Sequence, residues 1–223
     1  MRWNGAALVG AQMVALVASS AAAQGGTDIH VLALEERDGR VVVSGPPEGV
    51  TDRVGYDNQP AFTADGAAVL YTSIRDGQAD TYRFDLETGT NGRLTRTAES
   101  EYSPTPVPGS PRFSAVRVEA DSTQRLWSFA ADGTDARLLL AGVAPVGYHA
   151  WVDHDRVALF VLGDPATLRL ADVRTGAARV MARRIGRSLQ PVPGRAAATF
   201  THEEGGAWWI RELDAESGEV RPV

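Results

Sequence analysis

Strand-like apolar runs recur along the chain, each closed by a turn pair that ends in glycine. The runs are Ile29–Leu34, Thr81–Leu86, Arg125–Phe129, Leu168–Val173 and Trp208–Leu213. Each is short and rich in residues that favour strands. Asp38-Gly39, Thr88-Gly89, Asp132-Gly133, Thr175-Gly176 and Ser217-Gly218 follow them, with glycines 50, 44, 43 and 42 residues apart. A second run follows each turn: Arg40–Val43, Gly92–Thr95, Ala136–Leu140, Ala178–Met181 and Glu219–Pro222. These are five hairpins of one design.

A further hairpin precedes each of the last four. The clearest runs from Pro60-Ala61-Phe62-Thr63 through an Asp65-Gly66 turn into Ala68–Ser73 and on to Asp76-Gly77. Looser copies join Thr105–Gly109 to Phe113–Val118, Ala150–Asp153 to Val157–Leu162, and Gln190–Gly194 to Ala197–Thr201. Asp-Gly and Pro-Gly suit such turns because glycine accepts positive φ while aspartate or proline favours turn initiation. The unit is therefore four short strands in about 43 residues, the size of a propeller blade. Glycine and proline punctuate every segment and no run has a helical apolar period, which excludes a helical repeat. A sandwich is the structural rival, and the steady period favours the propeller over it.

The stretch Asn58–Gly89 resembles the TolB-like (WD40-like) repeat. That family's blade opens Pro-x-aromatic-Ser-Pro-Asp-Gly. An apolar strand ending Phe-x-Ser follows, then Asp-Gly, an Asp-Ile-Tyr-like strand and a closing Leu-Thr. Here Thr63-Ala64 stands in place of Ser-Pro, and Leu94-Thr95 supplies the close. The match is strong over residues 57–97, degenerate in the three later units, and extends over 28–223 by periodicity. The resemblance implies an exported propeller, commonly of six blades, and implies no catalytic activity by itself. The expected fold is all-β: a β-propeller of four-stranded blades, with four full repeats after an N-terminal half blade at residues 28–51. Because a ring closes by pairing strands from both chain ends, the expectation is a truncated five- or six-bladed ring.

Composition narrows the function classes. The 223 residues include no cysteine, which excludes disulfides, thiolate metal sites and a cysteine nucleophile. All 22 basic residues are arginine and the net charge is −6, which argues against nucleic acid as a partner. The densest basic stretch, Arg183, Arg184 and Arg187, reads as solvated surface rather than an anion site. Arg2, the apolar run Ala6–Val17 and the small residues Ala21-Ala22-Ala23 have the three-part layout of a secretory signal peptide. Residues 1–23 are thus expected to be a cleaved leader and 24–223 an exported, periplasmic propeller. It is expected to be monomeric, without stable membrane insertion after cleavage.

The innermost strand of each blade lines a propeller's channel, so the loop entering it is where a site is sought. Tyr56, Tyr102 and Tyr148 recur there at intervals of 46 and 46, beside Asp57, Asn58, Ser103 and His149. Arg187, Ser188 and Gln190 occupy the corresponding region of the fourth unit. These ten residues are the candidate binding site, since tyrosine buries area with little entropy loss and keeps a free hydroxyl. The competing role for the tyrosines is to wedge adjacent blades together. Trp127, Trp208 and Trp209 lie on third strands, where alternation turns Trp208 and Trp209 to opposite faces, one packed between blades.

His149, Asp153, His154 and Asp155 have metal-ligand side chains, but the aspartates fall in a turn and His149 at the far end of its strand, so no shared metal is expected. His202, Glu203 and Glu204 read as a solvated turn. There is no Gly-x-Ser-x-Gly elbow, no phosphate loop and no His-Glu-x-x-His. The expected function is a binding or scaffold protein that engages a protein, peptide or envelope component at the channel mouth, with no catalytic residue, metal or cofactor. The alternative is a lyase- or lactonase-type enzyme with a metal or small substrate in the channel.

Overall fold

A computed structural model describes residues 26–223, so the leader expected at 1–23 lies outside the described residues. Every regular element among them is a strand. A two-stranded half blade comes first, β1 (His30–Arg37) with β2 (Arg40–Gly49). The first blade holds β3 (Tyr56–Phe62), β4 (Ala68–Arg75), β5 (Gln78–Asp85) and β6 (Asn91–Arg93). The second holds β7 (Ser100–Pro106), β8 (Arg112–Val118), β9 (Gln124–Ala130) and β10 (Arg137–Leu138). The third holds β11 (Val146–Trp151), β12 (Arg156–Val161), β13 (Thr167–Asp172) and β14 (Ala178–Arg183). The fourth holds β15 (Ile185–Pro191), β16 (Ala197–Glu204), β17 (Ala207–Asp214) and β18 (Val220–Pro222).

Within each blade the strands pair antiparallel in chain order. The arrangement is a β-propeller with four complete blades and a half blade, as the repeat period predicts. No helix among the described residues is long and apolar enough to cross a membrane.

Burial follows the layering. β4 is buried over Ala68–Ser73, and β8 and β12 are buried over five consecutive residues each. A strand covered on both faces reads as a continuous apolar run rather than an alternating one. Four apolar clusters fill the seams. Ile29 and Val50 of the half-blade segment meet Tyr71 and Tyr82 of the first blade. Leu70 meets Phe113 and Phe129 across the next seam. Val116 and Leu126 meet Val146, Trp151 and Leu159 across the third. Phe160 and Leu168 meet Leu189, Phe200 and Leu213 across the last. One turn glycine is fixed by contact as well as by conformation. Gly133 has φ +83, and a Cβ there would lie 2.3 Å from the Leu94 carbonyl oxygen. The second blade's turn thus presses on the end of the first blade.

The outer members of the array are less covered. Leu34, Val41 and Val43 of the half blade are exposed. Trp208 and Trp209 are 60% and 54% exposed, so neither packs between blades as the alternation argument expected. They sit where the β16–β17 hairpin runs out past its neighbours, and all four residues Ala207–Ile210 are exposed. Trp127 is half-buried, with its indole N–H donated to Glu119 at 2.9 Å and the Arg117 guanidinium 4.6 Å from its ring.

Candidate functional site: the central cavity

The first strands of the four blades, β3, β7, β11 and β15, share one departure from regularity. Each breaks register with its neighbour: between Asn58 and Ala61, Tyr102 and Thr105, Val146 and Tyr148, and Ile185 and Leu189. Gln59 and Ser103 take positive φ there, 57° and 54°. A bulge releases backbone groups from the ladder and re-aims the local side chains. In the fourth blade Gly186 allows this: a Cβ there would lie 2.2 Å from Thr201 Oγ1 and 3.1 Å from the Trp208 ring.

These irregular stretches converge on a cavity of about 560 Å³, lined by Gln59–Phe62, Ser103–Pro106, Tyr148–Trp151 and Arg187–Pro191 together with Pro108. A larger groove of about 1070 Å³ runs outside, between β14 and the β16–β17 turn. Only the third and fourth blades bound that groove, and its charged walls are largely self-paired, Arg184 with Glu203 at 2.6 Å and Arg211 with Glu204. The central cavity, where all four blades meet, is the stronger candidate.

Of the ten sequence-selected residues, Ser103, Tyr148, His149, Arg187, Ser188 and Gln190 line this cavity. Tyr56, Asp57, Asn58 and Tyr102 do not. The tyrosines are not equivalent positions. Thr63, Val107, Val152 and Val192 each donate a backbone N–H across the turn that ends the first strand, which fixes a common origin. Tyr56, Tyr102 and Tyr148 stand seven, five and four residues before it. The equal spacing of 46 comes from blades and turns of unequal length, not from shared placement. Tyr102 packs on the seam between second and third blades and Tyr148 on the next, where it meets Phe160 edge-on at 5.8 Å. Both therefore wedge blades, and Tyr148 also reaches the cavity. Burial, then the proximity of Tyr148 and Tyr102, raises the Tyr56 hydroxyl above its ordinary range.

Asp57 is buried and paired with Arg53 at 3.1 Å. Asn58 turns inward locally, its Oδ1 accepting the Gln59 N–H at 2.7 Å. His149 is held rather than free. Its Nε2 lies 2.7 Å from Ser114 Oγ, which also accepts the Trp151 indole N–H at 2.9 Å and donates to the Thr105 carbonyl at 3.2 Å. All three contacts are satisfied together when Nε2 carries the proton, which leaves Nδ1 as a buried acceptor without a partner. Burial lowers the imidazole from 6.5 to about 4, so it is neutral near pH 7. Asp153 caps its turn through the Asp155 and Arg156 N–H groups and pairs with Arg156, while exposed His154 sits 3.1 Å from Asp155. The four do not gather.

The sequence reading missed Gln59, Pro60, Phe62 and Trp151. Gln59 is a seam residue, its Oε1 accepting the Ser103 N–H at 2.9 Å. The recurrence of proline at 60 and 104, each just after the positive-φ residue, was the available signal.

The wall has a plain electrostatic character. Five prolines, Phe62 and Trp151 supply apolar surface. Among the described residues no carboxylate lines the cavity, and Arg187 is the one arginine that does. Outside the lining, Glu101 is buried with Arg117 at 3.1 Å and Asp80 with Arg93 at 2.8 Å, both raised above the usual range by burial.

The fold is that of the TolB-like propellers. TolB from Acinetobacter baumannii superposes with a TM-score of 0.68 at 16% identity, over 87% of this chain and 51% of that one. The chain thus spans about half the length of that protein. A chain of a nidogen/laminin complex gives 0.61 at 14% identity, over 89% of both chains. An oligogalacturonate lyase in complex with manganese gives 0.57 at 16%, over 79% of this chain and 55% of that one. At these identities the likeness concerns the fold. No protein-family model and no curated protein sequence matches the chain.

Proposed function

We propose that this protein is an exported, periplasmic, monomeric binding propeller that holds a segment of a protein or peptide partner in its central cavity. The observation that carries the reading is the convergence of four interrupted first strands on one cavity. Flat proline and aromatic surface and the exposed side chains of Ser188 and Gln190 offer what an extended peptide needs: apolar contact and hydrogen-bonding groups beside it. The likeness to TolB and to a chain of a nidogen complex agrees with a binding role, and export rests on the leader-like sequence at 1–23.

An enzyme of lyase type draws on the likeness to the lyase, which is a likeness of fold. Among the described residues the cavity wall offers one imidazole, already engaged at Nε2, and no carboxylate, a poor set of donors for a hard divalent cation.

The test is selection of peptides from a random displayed library on residues 24–223, repeated with Ser188→Trp, which fills the cavity from an exposed position. The expected result is enriched peptides that bind the parent protein and lose about ten-fold or more in affinity to the variant at unchanged melting temperature. Failure to enrich any peptide, or equal binding by the variant, contradicts the reading.

A further inference from the structure

The cavity's charge distribution narrows the ligand. The chain as a whole is acidic, with net charge −6, yet among the described residues the cavity wall has no carboxylate. Arg187 stands in that wall, exposed, at the center of the longest break in any first-strand ladder, Ile185 to Leu189. Its treatment differs from that of most arginines in the molecule. Among the described residues fourteen arginines form ion pairs, and Arg187 is not one of them. Its sequence neighbour Arg184 is neutralised by Glu203 through contacts of 2.6 and 2.7 Å. The short basic stretch read from sequence as uniformly solvated is therefore split between a paired surface arginine and an unpaired one inside the cavity.

A guanidinium has five donors in a planar fork that matches a carboxylate. In a wall without competing acids, an incoming carboxylate has no intramolecular rival for it. Ser188 and Gln190, also exposed in the wall, add neutral donors beside it.

We infer that the cavity selects a partner segment bearing an aspartate or glutamate side chain, whose carboxylate is held by Arg187. This rests on the proposed peptide-binding role and assigns its anchoring group.

The probes are two end-blocked, fluorescein-labelled hexapeptides, (Ala-Glu)₃ and its uncharged counterpart (Ala-Gln)₃, with free glutarate as a third. Fluorescence anisotropy reads the peptides and a thermal-shift assay reads glutarate. The wild-type protein is expected to bind the glutamate peptide about ten-fold or more tightly than the glutamine peptide at low salt, with the preference shrinking as salt is raised. Arg187→Gln is expected to erase the preference, Arg187→Lys to keep part of it, and Arg183→Gln, outside the cavity, to leave it intact.

Equal binding of the two peptides, both lost in Ser188→Trp, overturns the carboxylate assignment and leaves the peptide reading standing. Glutarate stabilisation that needs Arg187, with neither peptide bound, upholds the carboxylate site and overturns the peptide reading. A preference that survives Arg187→Gln, or no response to any of the three probes, overturns the inference.

Discussion

The seam between the first and second blades and the seam between the third and fourth are built from different chemistry. The former has a small apolar cluster, Leu70, Phe113, Ala115 and Phe129. A polar latch adds to it: the Ser103 N–H is shared between Gln59 Oε1 and Thr72 Oγ1, with Asp80 and Glu101 buried beside their paired arginines, Arg93 and Arg117. The latter packs through twelve buried apolar residues. Six residues before the common turn stand Asp57 and Glu101 in the first two blades, but Val146 and Gly186 in the last two. The same blade geometry is thus held once by polar groups with demanding partners and once by volume. Polar latches need particular residue types, whereas apolar packing accepts many combinations.

The contrast is broken most forcefully in the apolar seam. Phe200→Ala removes a ring that is 1% exposed at the center of the twelve-residue cluster. It is expected to cost about 3–5 kcal/mol, read as a fall in the urea midpoint. A loss below about 1 kcal/mol would show that the seam relaxes around the cavity and is not close-packed.

The seam between second and third blades supplies the next largest effect, and it depends on pH. Burial holds the His149 imidazole at about 4 against 6.5 in the open chain. The unfolded chain therefore gains a proton first as pH falls. The stabilisation is complete above about 6.5 and is lost progressively toward 4, a change on the order of 3 kcal/mol. Asp80 and Glu101, raised by burial, act in the opposite sense in acid, so the comparison that isolates the imidazole is with His149→Asn. Melting temperatures between pH 7 and 4.5 are expected to fall less in that variant than in the wild type. Parallel curves would contradict the buried neutral state.

At the polar latch, Gln59→Ala is expected to cost about 1 kcal/mol, because Thr72 Oγ1 still accepts the Ser103 N–H at 3.1 Å. A double variant with Thr72→Val leaves that N–H without either acceptor and is expected to lose more than the sum of the two. Strict additivity in denaturation would dissolve the latch. The smallest effect belongs to Trp208→Ser, at an exposed hairpin end, expected to lie within about 0.5 kcal/mol of zero.

The same contrast explains what the sequence made legible. The strand count, the blade period and the half blade follow from turn glycines and apolar runs, which depend on local backbone needs. The resemblance at 57–97 is sharp because Asp57, Thr81, Leu94 and Thr95 meet specific partners there. Thr95, for example, accepts the Thr81 N–H at 2.8 Å. The seam between the third and fourth blades is apolar instead, and such packing leaves no fixed residue pattern to read. The cavity was half legible. Its loops were found, but the tyrosine spacing suggested an equivalence that bulges and turn lengths undo. Residues such as Gln59 and Trp151 act through register shifts that no spacing displays. His149 lines the cavity, yet its tie to Ser114, 35 residues away, is a product of blade packing alone. The leader at 1–23 remains an expectation from its residue pattern.

The central claim is that a partner segment lies in the cavity between the four first strands. Photocrosslinking tests it most directly, with benzoylphenylalanine placed at Gln190 in the wall or at Leu138 on the outer strand β10. The account predicts that a library-selected peptide crosslinks from position 190, that Ser188→Trp abolishes this, and that position 138 yields none. Crosslinks from 138 and not from 190 would contradict it and move the binding surface to the propeller's outer edge.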